Sequence, residues 1–436
     1  MDRSPPSCSK YRQTLIFFKN HPDTVIEPKV HVVTFNRYVN CFNEGGCEMA
    51  SFNGITPHNY KFEVPEIIFG RGMLHQIGAC ARRIGGKKVF LVSDPGLFNA
   101  GWVEQAMGSI LDAGLEFSYF DGITSNPKVH EVEDGAREYQ HNNADVVVGL
   151  GGGSAMDAAK AIAILVSNGG NICDFEGLSK ITRPLPPLVL CPTTCGSGSD
   201  VSQFAIISDT ERQRKFCITS RCVAPDISLT DPDTLSTLPD EFIGTSAADT
   251  LSHAVESFFS VASTTLTNVH AVKAMCLLTS SMAAAVQQRN PDDLEDLARA
   301  SLHAGMAFSN ALLGVGHALA LSIGGRYNVS HGSISSVLLP EVLRFDTLIA
   351  TEKLQELAWG FGLRVKGSTN NTCEKIHYTL TSLLEECEVP RTLHSIGVRY
   401  KDLPELAQEA LKDVCLATSP RVADVDDLLH ILNLAY

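Results

Sequence analysis

No C-x-x-C pair occurs among the thirteen cysteines of this 436-residue chain. That spacing excludes a zinc ribbon, and an odd number of scattered thiols fits a reducing, cytoplasmic compartment better than a disulfide framework. Basic residues are scarce, with Lys and Arg numbering 35 against 49 Asp and Glu, for a formal charge of −14. A phosphate backbone requires a basic face, so no nucleic-acid partner is expected. No apolar run approaches the roughly 20 residues that cross a bilayer, so no membrane partner is expected either. Near the start the longest apolar run is 15–18, too short for a signal-peptide core.

Residues 1–56 have no steady period and mix Pro, Cys, Asn and Gly with isolated aromatics. They are expected to be a poorly ordered extension or a misassigned start, with a folded hairpin as the alternative. Asp2, Asp23 and Glu27 argue against a mitochondrial leader, which is acid-poor.

The chain is long enough for two domains. From Tyr60 to about residue 235, β-rich runs at 87–93, 115–120, 144–149 and 188–191 alternate with helical stretches at 97–113, 129–142 and 155–166. Strands separated by helices of that length imply a parallel sheet covered on both faces. After Pro239 long stretches rich in Ala, Leu and Met take over. The expected fold is an α/β Rossmann-like domain over 57–236 followed by an all-helical domain over 237–436.

Between the third strand and its helix runs Gly149-Leu150-Gly151-Gly152-Gly153-Ser154-Ala155-Met156-Asp157. Glycines there let the backbone approach a pyrophosphate, and the helix N-terminus supplies unpaired N–H groups. A tight turn wants glycine without any ligand, so the run alone leaves both readings open. Asp94 ends the first strand, where a carboxylate suits a ribose diol or merely caps the next turn. Pro192-Thr193-Thr194-Cys195-Gly196-Ser197-Gly198-Ser199 closes another strand. Carboxyl ends of neighbouring parallel strands converge on one crevice, so these turns can face one ligand.

Asp249 and His253 are four apart, on one face of a helix and about 6 Å apart at Cβ. Most such pairs are solvated surface. His317 lies in a nearly all-apolar segment, where a neutral core histidine is the ordinary outcome, and His331 sits at a loop-to-helix junction. One carboxylate and three imidazoles would nonetheless make a first shell for Fe²⁺ or Zn²⁺ with a position left open.

From about Tyr60 onward the chain resembles the iron-dependent alcohol dehydrogenase family. The resemblance rests on an ordered set of motifs, beginning with Ile68-Phe69-Gly70-Arg71-Gly72, Val92-Ser93-Asp94 and Ser125-Asn126-Pro127. The glycine run through Lys160 and Pro192-Thr193-Thr194 follow. Asp249-x-x-x-His253-Ala254-x-Glu256, Gly316-His317-Ala318, Ser330-His331-Gly332 and a tail around Cys415 complete it. The resemblance implies NAD and a divalent metal, iron or alternatively zinc, held by Asp249, His253, His317 and His331. It places Asp94, Asn126, Gly151, Gly152, Gly153, Ser154, Asp157, Thr193, Thr194, Ser197 and Lys215 at the cofactor. It also puts Phe308 and Cys415, beside His317, at the substrate. The implied activity is interconversion of a small-molecule alcohol with its aldehyde or ketone, by a homo-oligomer of two or more chains. The alternatives are a metal-independent reductase resembling maleylacetate reductases and a nucleotide-binding sensor without turnover. One departure stands out: where many relatives carry a second histidine four residues after His317, this chain has Leu321.

Overall fold

The structure is a computed structural model that describes residues 12–16, 32–36, 61–347, 353–365 and 369–436. The chain divides into a first unit, Met1–Asn59, and a second, Tyr60–Tyr436. In the first, β1 (Arg12–Ile16) pairs antiparallel with β2 (Val32–Asn36), Arg12 opposite Asn36. These strands fall in the segment expected to be a poorly ordered extension, with a folded hairpin as its alternative. The rest of 1–56 lies outside the described residues.

The second unit opens with β3 (Glu66–Phe69) and α1 (Ile77–Arg83), then β4 (Lys88–Val92). The helix expected over 97–113 is two helices, α2 (Pro95–Asn99) and α3 (Trp102–Asp112), broken at Gly101 with φ 83°. There follow β5 (Glu116–Phe120), α4 (Val129–His141), β6 (Val146–Gly151) and α5 (Gly153–Asn168). A short β7 (Gly177–Leu178) precedes β8 (Leu188–Pro192). Six strands make one parallel sheet, with β11 (Ile227–Thr230) in the order β3-β11-β8-β6-β4-β5. The chain steps outward from β4 to β5 and returns to place β6 on the other side of β4. That reversal opens a crevice beyond the carboxyl ends of β4 and β6, where the glycine run begins.

The strands β9 (Phe204–Asp209) and β10 (Arg214–Thr219) form an antiparallel hairpin, extended by β7, outside that sheet. It is not among the strands expected from sequence, although β9 alternates buried and half-buried positions as a one-sided strand should.

From Asp240 every described element is helical. They are α6 (Asp240–Phe259), α7 (Thr265–Gln288), α8 (Pro291–Ala311), α9 (Val315–Arg326), α10 (His331–Thr347), α11 (Leu354–Gly360), α12 (Thr369–Glu386), α13 (Leu403–Ala410) and α14 (Val425–Leu434), with short 3₁₀ turns between some of them. Asp240 and Glu241 sit in the first turn of α6, and Asp292 and Asp293 in that of α8, where the helix dipole favours negative charge. Residues 247–259 of α6 are all buried, which makes it the central helix of the bundle. By length and apolarity α7 could cross a membrane, but it packs against α6 and α8, with half of its most apolar stretch buried, as a core helix does.

Candidate metal and nucleotide centre

The ligand atoms of His253, His317 and His331 lie within 4.8 Å of one another. They come from α6, α9 and the first residue of α10. Asp249, one turn before His253, points its Oδ1 at the same place, 3.7 Å from Nε2 of His253 and 3.7 Å from Nε2 of His331. Those separations are too long for hydrogen bonds. Asp249 Oδ1 and His317 Nδ1 are buried without a hydrogen-bond partner. Nδ1 of His253 is 3.2 Å from the Gly196 carbonyl, which orients the ring with Nε2 towards Asp249.

Burial holds His317 down to about 3 and His331 well below the ordinary imidazole range, and neighbouring positive charge adds to both effects. The rings are therefore neutral, with lone pairs to donate. Burial also pushes the Asp249 carboxyl up, against the pull of His253 and Ser335. Two neutral imidazoles, the buried His253 ring beside them and an orphaned carboxylate oxygen are a costly arrangement without a cation and a fitting one with it. One oxygen and three nitrogens suit Fe²⁺ or Zn²⁺.

The four residues line a cleft of about 1310 Å³, counted with its open mouth. Asn126, Gly153, Ser154, Asp157, Thr194, Ser197 and Lys215 of the expected cofactor set share its walls. So do Phe308, Cys415 and Leu321. The Phe308 ring lies 4.7 Å from that of His253, centre to centre, and clusters with Leu313, Cys415 and Phe204. Leu321 is one turn beyond His317 on α9, 5% exposed.

Gly153 opens α5 so close to Ser197 that an added Cβ would sit 2.8 Å from the serine Cβ. No side chain fits between the two turns. Asn126, with φ 58°, links them to the hairpin: its N–H donates to Ser154 Oγ at 3.0 Å and its Oδ1 accepts from Lys215 Nζ at 2.8 Å. Burial lowers Lys215 to about 8, although Asp157 and Asp249 favour its charged form. Lys215 therefore brings a cation from β10 into the cleft.

Four expected cofactor residues stand outside the cleft lining. Thr193 is buried behind the turn, its N–H donating to the Gly151 carbonyl at 2.9 Å. Gly151 and Gly152 form the turn's backbone; a Cβ on Gly152 would meet Thr194 at 3.1 Å. Asp94 caps α2, Oδ1 accepting from Gly96 N at 2.9 Å and Leu97 N at 3.3 Å, while Oδ2 lies 3.4 Å from where a Gly151 Cβ would be. It therefore caps the turn and also borders the glycine run. Asp157, though on the wall, spends its carboxylate on Ser199 Oγ and the Ile206 N–H, tying α5 both to the loop before β9 and to β9 itself.

Two buried groups had no assigned role in the sequence reading. Lys160 Nζ, fully enclosed, donates to the carbonyls of Ser202 at 2.8 Å and Phe204 at 2.7 Å. Glu256 on α6 accepts from backbone N–H groups at the start of α9. Their signal was a charged residue inside an apolar helix, but their partners are backbone atoms 42 to 61 residues away in the chain.

Residues 65–232 match the family described as iron-containing alcohol dehydrogenase, and residues 243–436 match the C-terminal family of Fe-containing alcohol dehydrogenases. The chain is 34% identical to a 1,3-propanediol dehydrogenase of Klebsiella pneumoniae, over 86% of this chain and 99% of that protein. It is 32% identical to an NAD-dependent methanol dehydrogenase of Bacillus methanolicus, over 85% and 98%. Among solved structures, an alcohol dehydrogenase from Oenococcus oeni superposes with a TM-score of 0.84 at 32% identity, covering 87% of this chain and all of that one.

Proposed function

We propose that this chain, which belongs to the iron-containing alcohol dehydrogenase family, interconverts an alcohol and its aldehyde or ketone at the cleft where Asp249, His253, His317 and His331 converge. NAD is the redox partner and iron the metal, with zinc as the alternative. The observation that carries the site assignment is the convergence itself: three imidazole nitrogens within 4.8 Å of one another beside a partnerless carboxylate oxygen. A bound divalent ion would lower the pKa of an alcohol hydroxyl, and the nicotinamide would accept the hydride.

The chain's own residues supply position. Gly153 and the N-terminus of α5 accept the pyrophosphate, Lys215 and Asn126 line the passage from it to the histidines, and Phe308 closes over His253. Phe204, Phe308, Leu313 and Leu321 make the substrate end apolar and keep water away from the reacting carbon. A straight-chain monohydric alcohol or its aldehyde is the substrate this wall suits.

The scattered cysteines, all free among the described residues, support a reducing cytoplasmic compartment. A homo-oligomer rests on the resemblance alone, and sedimentation of the purified protein measures it. The enzymatic reading is tested by metal analysis together with an NADH-linked assay on a panel of aldehydes. Full activity in protein without a stoichiometric transition metal would remove the four residues from the chemistry.

A further inference from the structure

Three positions of α6, Asp249, His253 and Glu256, form one stripe at helical spacing, but only the first two face the other histidines. Glu256 is 2% exposed and turns to α9. Its Oε2 accepts from the backbone N–H groups of Gly314 at 2.9 Å, Gly316 at 3.0 Å and His317 at 3.3 Å, and its Oε1 accepts from Ser252 Oγ at 3.3 Å. These are the donors that a capping side chain ordinarily satisfies, and the residue at the cap, Gly314, has none. A carboxylate from another helix takes that place, where the helix dipole also favours it.

The fit depends on glycine. A Cβ on Gly316 would stand 2.7 Å from Glu256 Oε1, and one on Gly314 would stand 3.1 Å from Oε2. Any side chain at 316 would push the carboxylate away from the helix end.

We infer that Glu256 is a positioning residue for the metal site, holding the first turn of α9, and with it the His317 imidazole, in register with the helix that carries Asp249 and His253. One carboxylate thereby fixes the distance between two ligands of α6 and one of α9. The inference rests on the metal-site reading above. It concerns how well the ligands are placed before an ion arrives, so the ion's affinity and coordination are the quantities to read.

The test uses the full-length protein, stripped with a chelator and titrated with Co²⁺, whose visible absorption reports coordination geometry. NADH binding, followed by fluorescence, serves as the control. Glu256→Asp withdraws the carboxylate by one methylene, and Gly316→Ala displaces it without altering its charge. Both are expected to weaken Co²⁺ binding by about ten- to a hundredfold and to change its visible band, as loss of a partner behind a ligand does. NADH affinity should stay within about twofold, because the phosphate cradle lies on other elements. Glu256→Gln keeps length and one acceptor oxygen, and should lose less than either. If Glu256→Asp does not fold, Gly316→Ala carries the test alone. Variants that lose thermal stability but bind Co²⁺ with wild-type affinity and spectrum would overturn the inference, as would equal losses of Co²⁺ and NADH binding. Failure of the wild type to bind Co²⁺ at all would instead sink the metal-site reading beneath it.

Discussion

The two sides of the cleft are built by opposite means. On the sheet side, one continuous run after β6 presents backbone N–H groups at a helix start, and the requirement is the absence of side chains, as at Gly153. On the helical side, four side chains from α6, α9 and α10 meet, and they span residues 249 to 331. A site of the first kind is local in sequence and tolerates change around it. The second kind exists only when three helices pack in one arrangement, so its accuracy depends on groups such as Glu256 that hold the backbone of a histidine rather than its ring.

The sharpest way to break this contrast is to remove one imidazole. His317→Ala should lower kcat/KM by about 10³-fold or more, since several kcal/mol of charge stabilisation would depend on the metal it is proposed to hold. NADH affinity should stay near wild type. Equal loss of both, by stopped-flow kinetics and fluorescence titration, would show that the two sides are not independent.

On the sheet side, Asp94 borders the glycine run and would meet an added 2′-phosphate with like charge. Asp94→Gly should shift the kcat/KM ratio of NADH to NADPH by about ten- to a hundredfold towards NADPH, given like charges at such a distance in a partly screened site. Its role as a cap predicts a loss of only a few tenths of a kcal/mol with glycine there. A wild-type preference for NADPH would take Asp94 out of cofactor selection.

A smaller effect is expected at Leu321. Each substrate CH₂ buried against it contributes about 0.8 kcal/mol, and an unpaired glycol hydroxyl there costs roughly 1–3 kcal/mol. 1-Butanol and 1-hexanol should exceed 1,2-propanediol and glycerol by about tenfold in kcat/KM, and Leu321→His should narrow the gap. If glycerol or a diol is the best substrate, Leu321 does not set the polarity of the pocket.

The smallest effect is on stability. Lys160 and Lys215 are both lowered to about 8 by burial, from an ordinary 10.5. Between pH 8 and 10.5 the unfolded chain binds more protons than the folded one, so the contribution of these groups to stability is poorest below pH 8 and improves as pH rises through that window. Lys215→Met should flatten part of this rise in urea unfolding followed from pH 7 to 10. An unchanged slope would mean that Lys215 is not desolvated in the folded protein.

Much of the architecture was legible in the residues. The β4, β6 and β8 segments read as strands because fully buried parallel strands are short apolar runs between turns, and the edge strand β5 reads as one from its aromatics Phe117, Tyr119 and Phe120. The break at Gly101 was missed because the apolar spacing continues across it while the backbone does not. The hairpin of β9 and β10 was missed because it inserts antiparallel strands into an alternating pattern, though it delivers Lys215 to the cleft. At the site, Asp249 and His253 were recognisable as a pair from their spacing. His317 and His331 were not, since an imidazole among alanines and leucines looks like any core histidine until its neighbours are known. The family motifs, not the spacing, joined the four.

By itself the sequence determined what depends on neighbours along the chain: the parallel sheet, the change to helix after Pro239, the glycine turn, and the one-turn spacings of Asp249 to His253 and of His317 to Leu321. Only the tertiary structure decided what depends on distance in space. It placed Asp94 as a cap that also borders the glycine run, sent Asp157 to Ser199 and Ile206, and brought Lys215 across from the hairpin. It also set Glu256 against the start of α9. Local pattern is governed by backbone geometry and apolar period, whereas a buried charge is defined by whichever partner packing brings within hydrogen-bond reach.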